Sequence, residues 1–244
     1  MKILITMAGR GSRFKNEGIE EEKHRLRVRG KPIFNWSLSS LTAFFDEEFV
    51  FVTREENDDE SFIAKQCKQL SIDQYEIIQL SGVTDGQAST ALKADEVIND
   101  TESVAIYNID TYVEEGSITQ DDIDGDGHIP VFSVSGEKWS FVERDAGGKV
   151  QAVAEKERIS DLATVGFYYF DRWKLFKDAY ERIGEQTKSE YGEVYVCPLY
   201  QWLIDNGYEV TASDVDADSV HVLGTPSDVV LFAPEFAEEH GLEL

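Results

Sequence analysis

The chain has 244 residues, with 23 Lys and Arg against 48 Asp and Glu, a formal charge of −25. A surface this acidic repels nucleic-acid phosphates and anionic lipids, which excludes bulk binding to either. Apolar residues at 41% and aromatics at 11% exclude an acidic disordered chain, and no apolar run reaches a membrane-spanning length.

The carboxylates are dispersed (DEEF, REENDDES, QDDIDGD, SDVDADS, EEHGLEL) and are not gathered in one tail. Dispersion fits solvation of a whole surface at high ionic strength, where the Debye length is about 3 Å at 1 M salt, better than a cation-binding function. Cys67 and Cys197 fall in apolar patterns and read as buried thiols. KILITMAG at the N-terminus has no cleavable signal architecture after it. The expectation is a cytoplasmic globular protein, monomer or homodimer.

Along the first 110 residues, strands and helices alternate. Lys2–Met7 reads as a buried strand ending in a glycine-rich turn, and Pro32–Phe45 as an amphipathic helix with proline near its start. Glu48–Thr53, Tyr75–Leu80 and Val104–Ile109 read as strands, with helices over Asp59–Leu70 and Gly86–Ile98 between them. This order predicts an α/β, Rossmann-like fold with a mostly parallel sheet flanked by helices. Ligands bind such sheets at the carboxyl ends of the strands, where Gly9, Gly11, Arg13 and Asp110 lie.

From Asp121 onward short strands dominate: His128–Val134, Ser140–Glu143, Val150–Ala154 and Thr164–Phe170, with a turn at Ala146-Gly147-Gly148. Helices are expected over Trp173–Ile183, Cys197–Asn206 and from Pro226, and strands over Tyr208–Ala212 and Val220–Leu223. The expectation is one domain over 1–244, with a first half to residue 120 and a smaller β-rich lobe formed by 121–244. Asp122-Ile-Asp124-Gly-Asp126 copies half of a calcium loop, but Ser133 stands where the closing Glu belongs, so an acidic turn is the better account. Tyr168, Tyr169, Trp173 and Trp202 fit a core better than a sugar platform.

The strongest local signal is Met7-Ala8-Gly9-Arg10-Gly11-Ser12-Arg13-Phe14. Two glycines two apart let backbone amides approach phosphate oxygens, and Arg13 adds a bidentate donor. Phe14 stands where a dinucleotide fingerprint needs a third glycine. Residues 10–31 hold eight cations (Arg10, Arg13, Lys15, Lys23, Arg25, Arg27, Arg29, Lys31) and four acids, a local +4 against −29 elsewhere. One basic mouth for a polyphosphate explains that concentration.

The stretch MAGRGSRF, Lys23 and Gly30-Lys31-Pro32 resembles the opening of the sugar-phosphate nucleotidyltransferases. The resemblance continues through Gly86-Gln87-Ala88-Ser89-Thr90, Tyr107-Asn108-Ile109-Asp110, Val153-Ala154-Glu155-Lys156, Thr164-Val165-Gly166 and Leu223-Gly224-Thr225-Pro226. It implies a glycosyltransferase-A-like fold and transfer of a nucleoside monophosphate from an NTP to a small phosphorylated acceptor, a sugar 1-phosphate before all, with release of pyrophosphate. A phosphocholine-type cytidylyltransferase has a similar opening and is the alternative; a nucleotide-binding regulator without turnover is the contrasting class.

By the same resemblance Arg13, Lys23 and Asp110 carry the chemistry, with Asp110 holding Mg²⁺. Ala8, Gly9, Gly11, Ser12, Gln87 and Ser89 bind the nucleotide, and Glu155, Lys156, Gly166 and Glu193 the acceptor. A carboxylate capping a helix is an equal reading of Glu193. Two departures stand out. Glu22 precedes Lys23 where the family has proline, and Val222 stands where many members carry a second metal-binding aspartate, which leaves Asp218 as a nearby acid. His24 and His221 lie near the expected site as positioning candidates.

Overall fold

Ile3–Ile5, Phe49–Val52 and Val104–Tyr107 are unbroken apolar runs, so both faces of the sheet they form must be covered. The computed structural model describes residues 1–242. The first half runs β1 (Lys2–Thr6), α1 (Ser12–Asn16), β2 (Arg27–Val28), β3 (Lys31–Pro32), α2 (Ile33–Ser39), β4 (Glu48–Arg54), α3 (Glu60–Leu70), β5 (Tyr75–Leu80), α4 (Gln87–Ala91), β6 (Val104–Asn108) and β7 (Thr111–Val113). The second half runs β8 (Gly127–His128), β9 (Val131–Ser133), β10 (Ser140–Arg144), β11 (Val150–Glu155), β12 (Leu162–Thr164) and β13 (Phe167–Phe170). It continues through α5 (Trp173–Tyr191), α6 (Leu199–Asp205), β14 (Val210–Thr211), β15 (Val220–Val222), α7 (Pro226–Phe232) and α8 (Glu235–His240).

Seven strands form the main sheet in the order β14-β8-β13-β6-β1-β4-β5. β6, β1, β4 and β5 are parallel neighbours, and β13 runs antiparallel to β6. Alternation sorts the side chains by face. Leu4, Val50, Val52, Val104 and Ile106 meet the side of α4, α5 and α6, while Ile3, Ile5, Phe49, Phe51 and Tyr107 meet α2 and α3. A four-stranded antiparallel sheet, β11-β10-β12-β9, stands beside the main one. Residues 121–242 supply every strand of the smaller sheet and complete the main one through β13, β8 and β14. Among the described residues, no helix is long and apolar enough to cross a membrane.

Element types follow the sequence reading, with instructive differences in extent. The helix expected over Pro32–Phe45 stops at Ser39, and the one over Gly86–Ile98 at Ala91, each followed by a tighter 3₁₀ turn. The strand expected over His128–Val134 divides at Ile129-Pro130, since proline donates no ladder hydrogen bond. The strand over Thr164–Phe170 divides at Val165-Gly166, and its two pieces join different sheets. Gly166 has φ +86°, and a Cβ there would lie 2.3 Å from Asn108 Nδ2. Helix α5 continues to Tyr191, eight residues past the expected end, with Gly184 buried inside it beside the Tyr180 ring. The hairpin β2–β3, helix α1 and strand β7 were too short to leave a periodic signature.

One crossing of two loops holds the halves in register. Val194 donates to the Asp85 carbonyl at 2.7 Å and accepts from the Ala88 amide at 2.9 Å. Gly86, at φ +124°, makes this possible, since a Cβ there would sit 2.6 Å from the Val194 nitrogen. Gly86→Ala combines positive-φ strain with a backbone clash that no side chain can relieve. It is expected to cost about 3 kcal/mol, which for a domain of this size lowers Tm by about 6–12 °C; calorimetry on the variant checks this.

Candidate active site

A cavity of about 1030 Å³ opens at the carboxyl ends of β1 and β6, between them and the small sheet. Its floor begins with the glycine-rich loop. Gly11 adopts φ +63° and turns the chain directly into α1. The amides of Ala8 to Gly11 make no hydrogen bond to another main-chain group among the described residues, so they are free for an anion. Phe14, where a third glycine was missing, is 1% exposed and packs with Leu26, Val28, Leu223 and Phe232. It anchors the loop to the hairpin and to α7.

At the centre Lys23 Nζ donates to Asp110 Oδ2 at 2.8 Å. Burial pushes the Asp110 carboxyl upward, but the Lys23 ammonium, and after it Arg13, outweigh burial and hold the group below the ordinary carboxylate range. The late turn closes over this pair. The Leu223 amide donates to the Asp110 carbonyl at 2.7 Å, and a Cβ on Gly224 would sit 3.3 Å from Asp110 Oδ2.

What fixes Lys23 is a residue that sequence reasoning missed. Asp59, fully buried at the start of α3, accepts from Arg25 Nε at 3.0 Å and Arg25 Nη2 at 2.7 Å, lies 2.8 Å from His24 Nε2, and also accepts from Thr53. Arg25 further donates to the carbonyls of Asn57 and Asp58. The turn 23–25 is thereby fastened to the end of β4. Burial raises the Asp59 carboxyl, yet His24, Thr53 and Arg25 together bring it well below its usual range. A single aspartate in an acidic stretch carried no signal; only the packing singles it out.

On the nucleotide side Ala8, Gly9, Gly11, Ser12, Arg13 and Gln87 all line the cavity. Gln87 Nε2 donates to Asn108 Oδ1, tying the start of α4 to the end of β6. Ser89 does not line the cavity: it faces α5, where its hydroxyl lies 3.0 Å from that of Tyr180. The position of Ser89 gives the nucleotide-binding expectation no support, because two residues along a helix from Gln87 turn the side chain by about 200°.

On the other wall stand Glu155, Lys156, Gly166 and Glu193. Glu155 is 4% exposed and accepts from the Ser140 hydroxyl; burial raises its carboxyl. Lys156 has φ +56° and donates to the Tyr195 hydroxyl at 2.6 Å, its ammonium 4.5 Å from the ring centroid. Tyr195 is a cavity residue the sequence reading did not mark. Glu193 is exposed on the cavity wall, and no side chain caps the next helix, α6. Val222 lines the cavity, whereas Asp218 and His221 do not. His221 instead stacks on Tyr112, with centroids 5.4 Å apart.

The single basic mouth is also corrected. Arg10, Arg13 and Lys23 line the cavity, but the other five cations point elsewhere. Lys15 pairs with Glu22 and Arg25 with Asp59, while Arg27 bonds the Gly30 carbonyl. Arg29 lies 4.3 Å from the Phe232 centroid and Lys31 4.6 Å from that of Trp36. The hairpin directs Arg29 and Lys31 onto aromatic faces.

Removing the Asp59 charge strands buried partners, so Asp59→Asn is expected to lose about 3–5 kcal/mol at pH 7. A carboxyl held below its unfolded value stabilises the fold above about pH 4, and that contribution disappears as pH falls through the folded value. The gap in urea stability between wild type and Asp59→Asn should therefore narrow from pH 7 to pH 3. A constant gap would contradict the assigned ion pair.

The sequence matches no family model and none of the curated proteins. Solved structures do match. A nucleoside-diphosphate-sugar pyrophosphorylase from Vibrio cholerae RC9 is 32% identical, with a TM-score of 0.88 over 95% of this chain and 99% of that one. The inositol-1-phosphate CTP transferase of T. maritima (15% identity, TM-score 0.75, 100% and 97% covered) has the same fold. So does a putative glucose-1-phosphate thymidylyltransferase from Bacillus anthracis (18%, TM-score 0.75, 100% and 97%). Identity over nearly the full length of the Vibrio protein, on a cavity that gathers the glycine-rich loop, Lys23, Asp110 and Lys156, places the chain in the sugar-phosphate nucleotidyltransferase family.

Proposed function

We propose that the chain transfers a nucleoside monophosphate from an NTP to a sugar 1-phosphate, giving an NDP-sugar and pyrophosphate. The observation that carries this reading is that Lys23 beside Asp110 and Lys156 on the small sheet line one cavity large enough for both substrates. An oxygen of the acceptor phosphate attacks the α-phosphorus in line; the new P–O bond forms as the bond to the β-phosphate oxygen breaks. The attacking phosphate is already an anion, so no general base is needed. Catalysis is alignment of two anions and neutralisation of the charge that develops.

In this reading the free amides of Gly9 and Gly11 cradle phosphate oxygens, and Arg13 and Lys23 neutralise the α-phosphate and the leaving group. Gln87, its amide engaged by Asn108, keeps its carbonyl oxygen as an acceptor for the base. Lys156, presented by Tyr195, receives the acceptor phosphate, and Glu155 and Glu193 accept from its hydroxyls.

Among the described residues no three His, Cys, Asp or Glu gather into a metal centre. The cavity offers Asp110, with Val222 where a second carboxylate would stand. That donor set fits Mg²⁺, which commonly takes one or two carboxylates and completes its shell with phosphate oxygens and water. When bound it would supply further neutralisation of the phosphates.

Pyrophosphate release measured with four NTPs against sugar 1-phosphates and amino-alcohol phosphates tests the reaction. Mg²⁺-dependent release with at least one sugar 1-phosphate is expected; NTP binding without release from any pair would refute it. Lys23→Ala and Asp110→Asn should each lower kcat by about 10²–10³-fold with unchanged circular dichroism. Lys156→Ala should raise the acceptor KM and leave the NTP KM as it was.

A further inference from the structure

We infer that Glu22 is a positioning residue that sets the spacing between Arg13 and Lys23, an assignment that rests on the reaction proposed above. Its carboxylate is the junction of three segments. Oε1 accepts from Lys15 Nζ at 2.9 Å, and Oε2 accepts from Arg54 Nη2 at 3.4 Å. Its own carbonyl receives the Arg25 amide at 2.8 Å, opening the turn that carries Lys23. Lys15 belongs to α1, two residues beyond Arg13, and Arg54 ends β4, with its side chain 5% exposed. Glu22 therefore joins the helix bearing one active-site cation to the turn bearing the other, and fixes both to the rim of the sheet.

The need for such a link is electrostatic. Arg13 and Lys23 both act on Asp110 and carry like charge, so each favours moving away from the other. Asp59 fixes the turn 23–25 from its far side, through His24 and Arg25, and among the described residues none of its hydrogen bonds reaches α1. Beside the apolar packing of Phe14 on Leu26, Glu22 is the polar side chain that, among the described residues, spans the gap from that turn to α1. Glu22 also lines the cavity, where a bare carboxylate would repel a triphosphate. Pairing with Lys15 and Arg54 cancels that repulsion, so the same contacts hold the geometry and neutralise the acid.

The Lys15–Glu22 pair is half-exposed, and such pairs contribute little to stability. This separates positioning from folding. Glu22→Gln is expected to keep Tm within a few degrees of wild type and to leave the NTP KM unchanged or lowered, because a negative charge has left the phosphate site. Its kcat should fall about ten- to a hundredfold, since misplacement by an ångström costs on that order. Lys15→Met should lower kcat similarly, and the double variant should lose no more than the worse single one. A kcat within twofold of wild type, a matching rise in NTP KM, or additive losses in the double variant would overturn the assignment.

Hydrogen exchange of the full chain gives a readout independent of turnover. Glu22→Gln should speed exchange at the amides of residues 12–16 and 23–26, while β1 and β6 stay protected. Unchanged exchange there overturns the inference even if wild type proves inactive, an outcome that would refute only the reaction.

Discussion

The ion pair between Lys23 and Asp110 is the constraint on which the other features of the site depend. The two residues are 87 positions apart, yet their charged atoms lie at 2.8 Å in a partly buried setting. A pair taken out of water in this way gains from its mutual attraction only if both groups are held in place. Each is held by a separate device. Asp110 follows β6, is bonded through its carbonyl to Leu223, and has Gly224 against its carboxylate. Lys23 sits on a turn tied to Asp59 on one side and to Glu22 on the other.

The architecture supplies the rigid frame for those devices. β1 and β6 are parallel neighbours, so the glycine-rich loop and Asp110 leave the sheet side by side. The second half of the chain both extends that sheet and folds over it, which brings Lys156 and Glu193 to the cavity facing the glycine-rich loop. The crossing of Gly86 against Val194 fixes the distance between the walls with backbone groups, which cannot give way as side chains can. A cavity for two polyanions needs such stiffness, since the contents repel each other until reaction joins them.

Charge is handled on two scales. Along the whole chain the acidic residues are dispersed, and the net charge is −25. Within the cavity the balance is local, and only three of the eight cations between Arg10 and Lys31 are turned inward. The remaining five hold the surrounding structure through Glu22, Asp59, a carbonyl and two aromatic rings. Linear density of charge located the site but overstated how much of that charge faces it, because a two-residue hairpin reverses the direction of the chain.

Period-two and period-3.6 patterns made β1, β4, β5, β6, α3 and α5 legible, since a strand covered on both faces must be apolar throughout and a helix on its surface must alternate. Turn chemistry marked Gly9 and Gly11, local charge marked Arg13 and Lys23, and the resemblance to the nucleotidyltransferases marked Asp110, Lys156 and Gly166. The folded chain decided what patterns of neighbours along the sequence do not encode. It turned Ser89 toward Tyr180 and His221 toward Tyr112, brought Tyr195 beneath Lys156, and chose Asp59 and Glu22 from among 48 acids as the two that hold the catalytic turn. The local sequence determined which elements form and which chemistry they carry. Long-range packing alone decided which charges meet, because an ion pair depends on distance in space, and only the tertiary fold sets that distance.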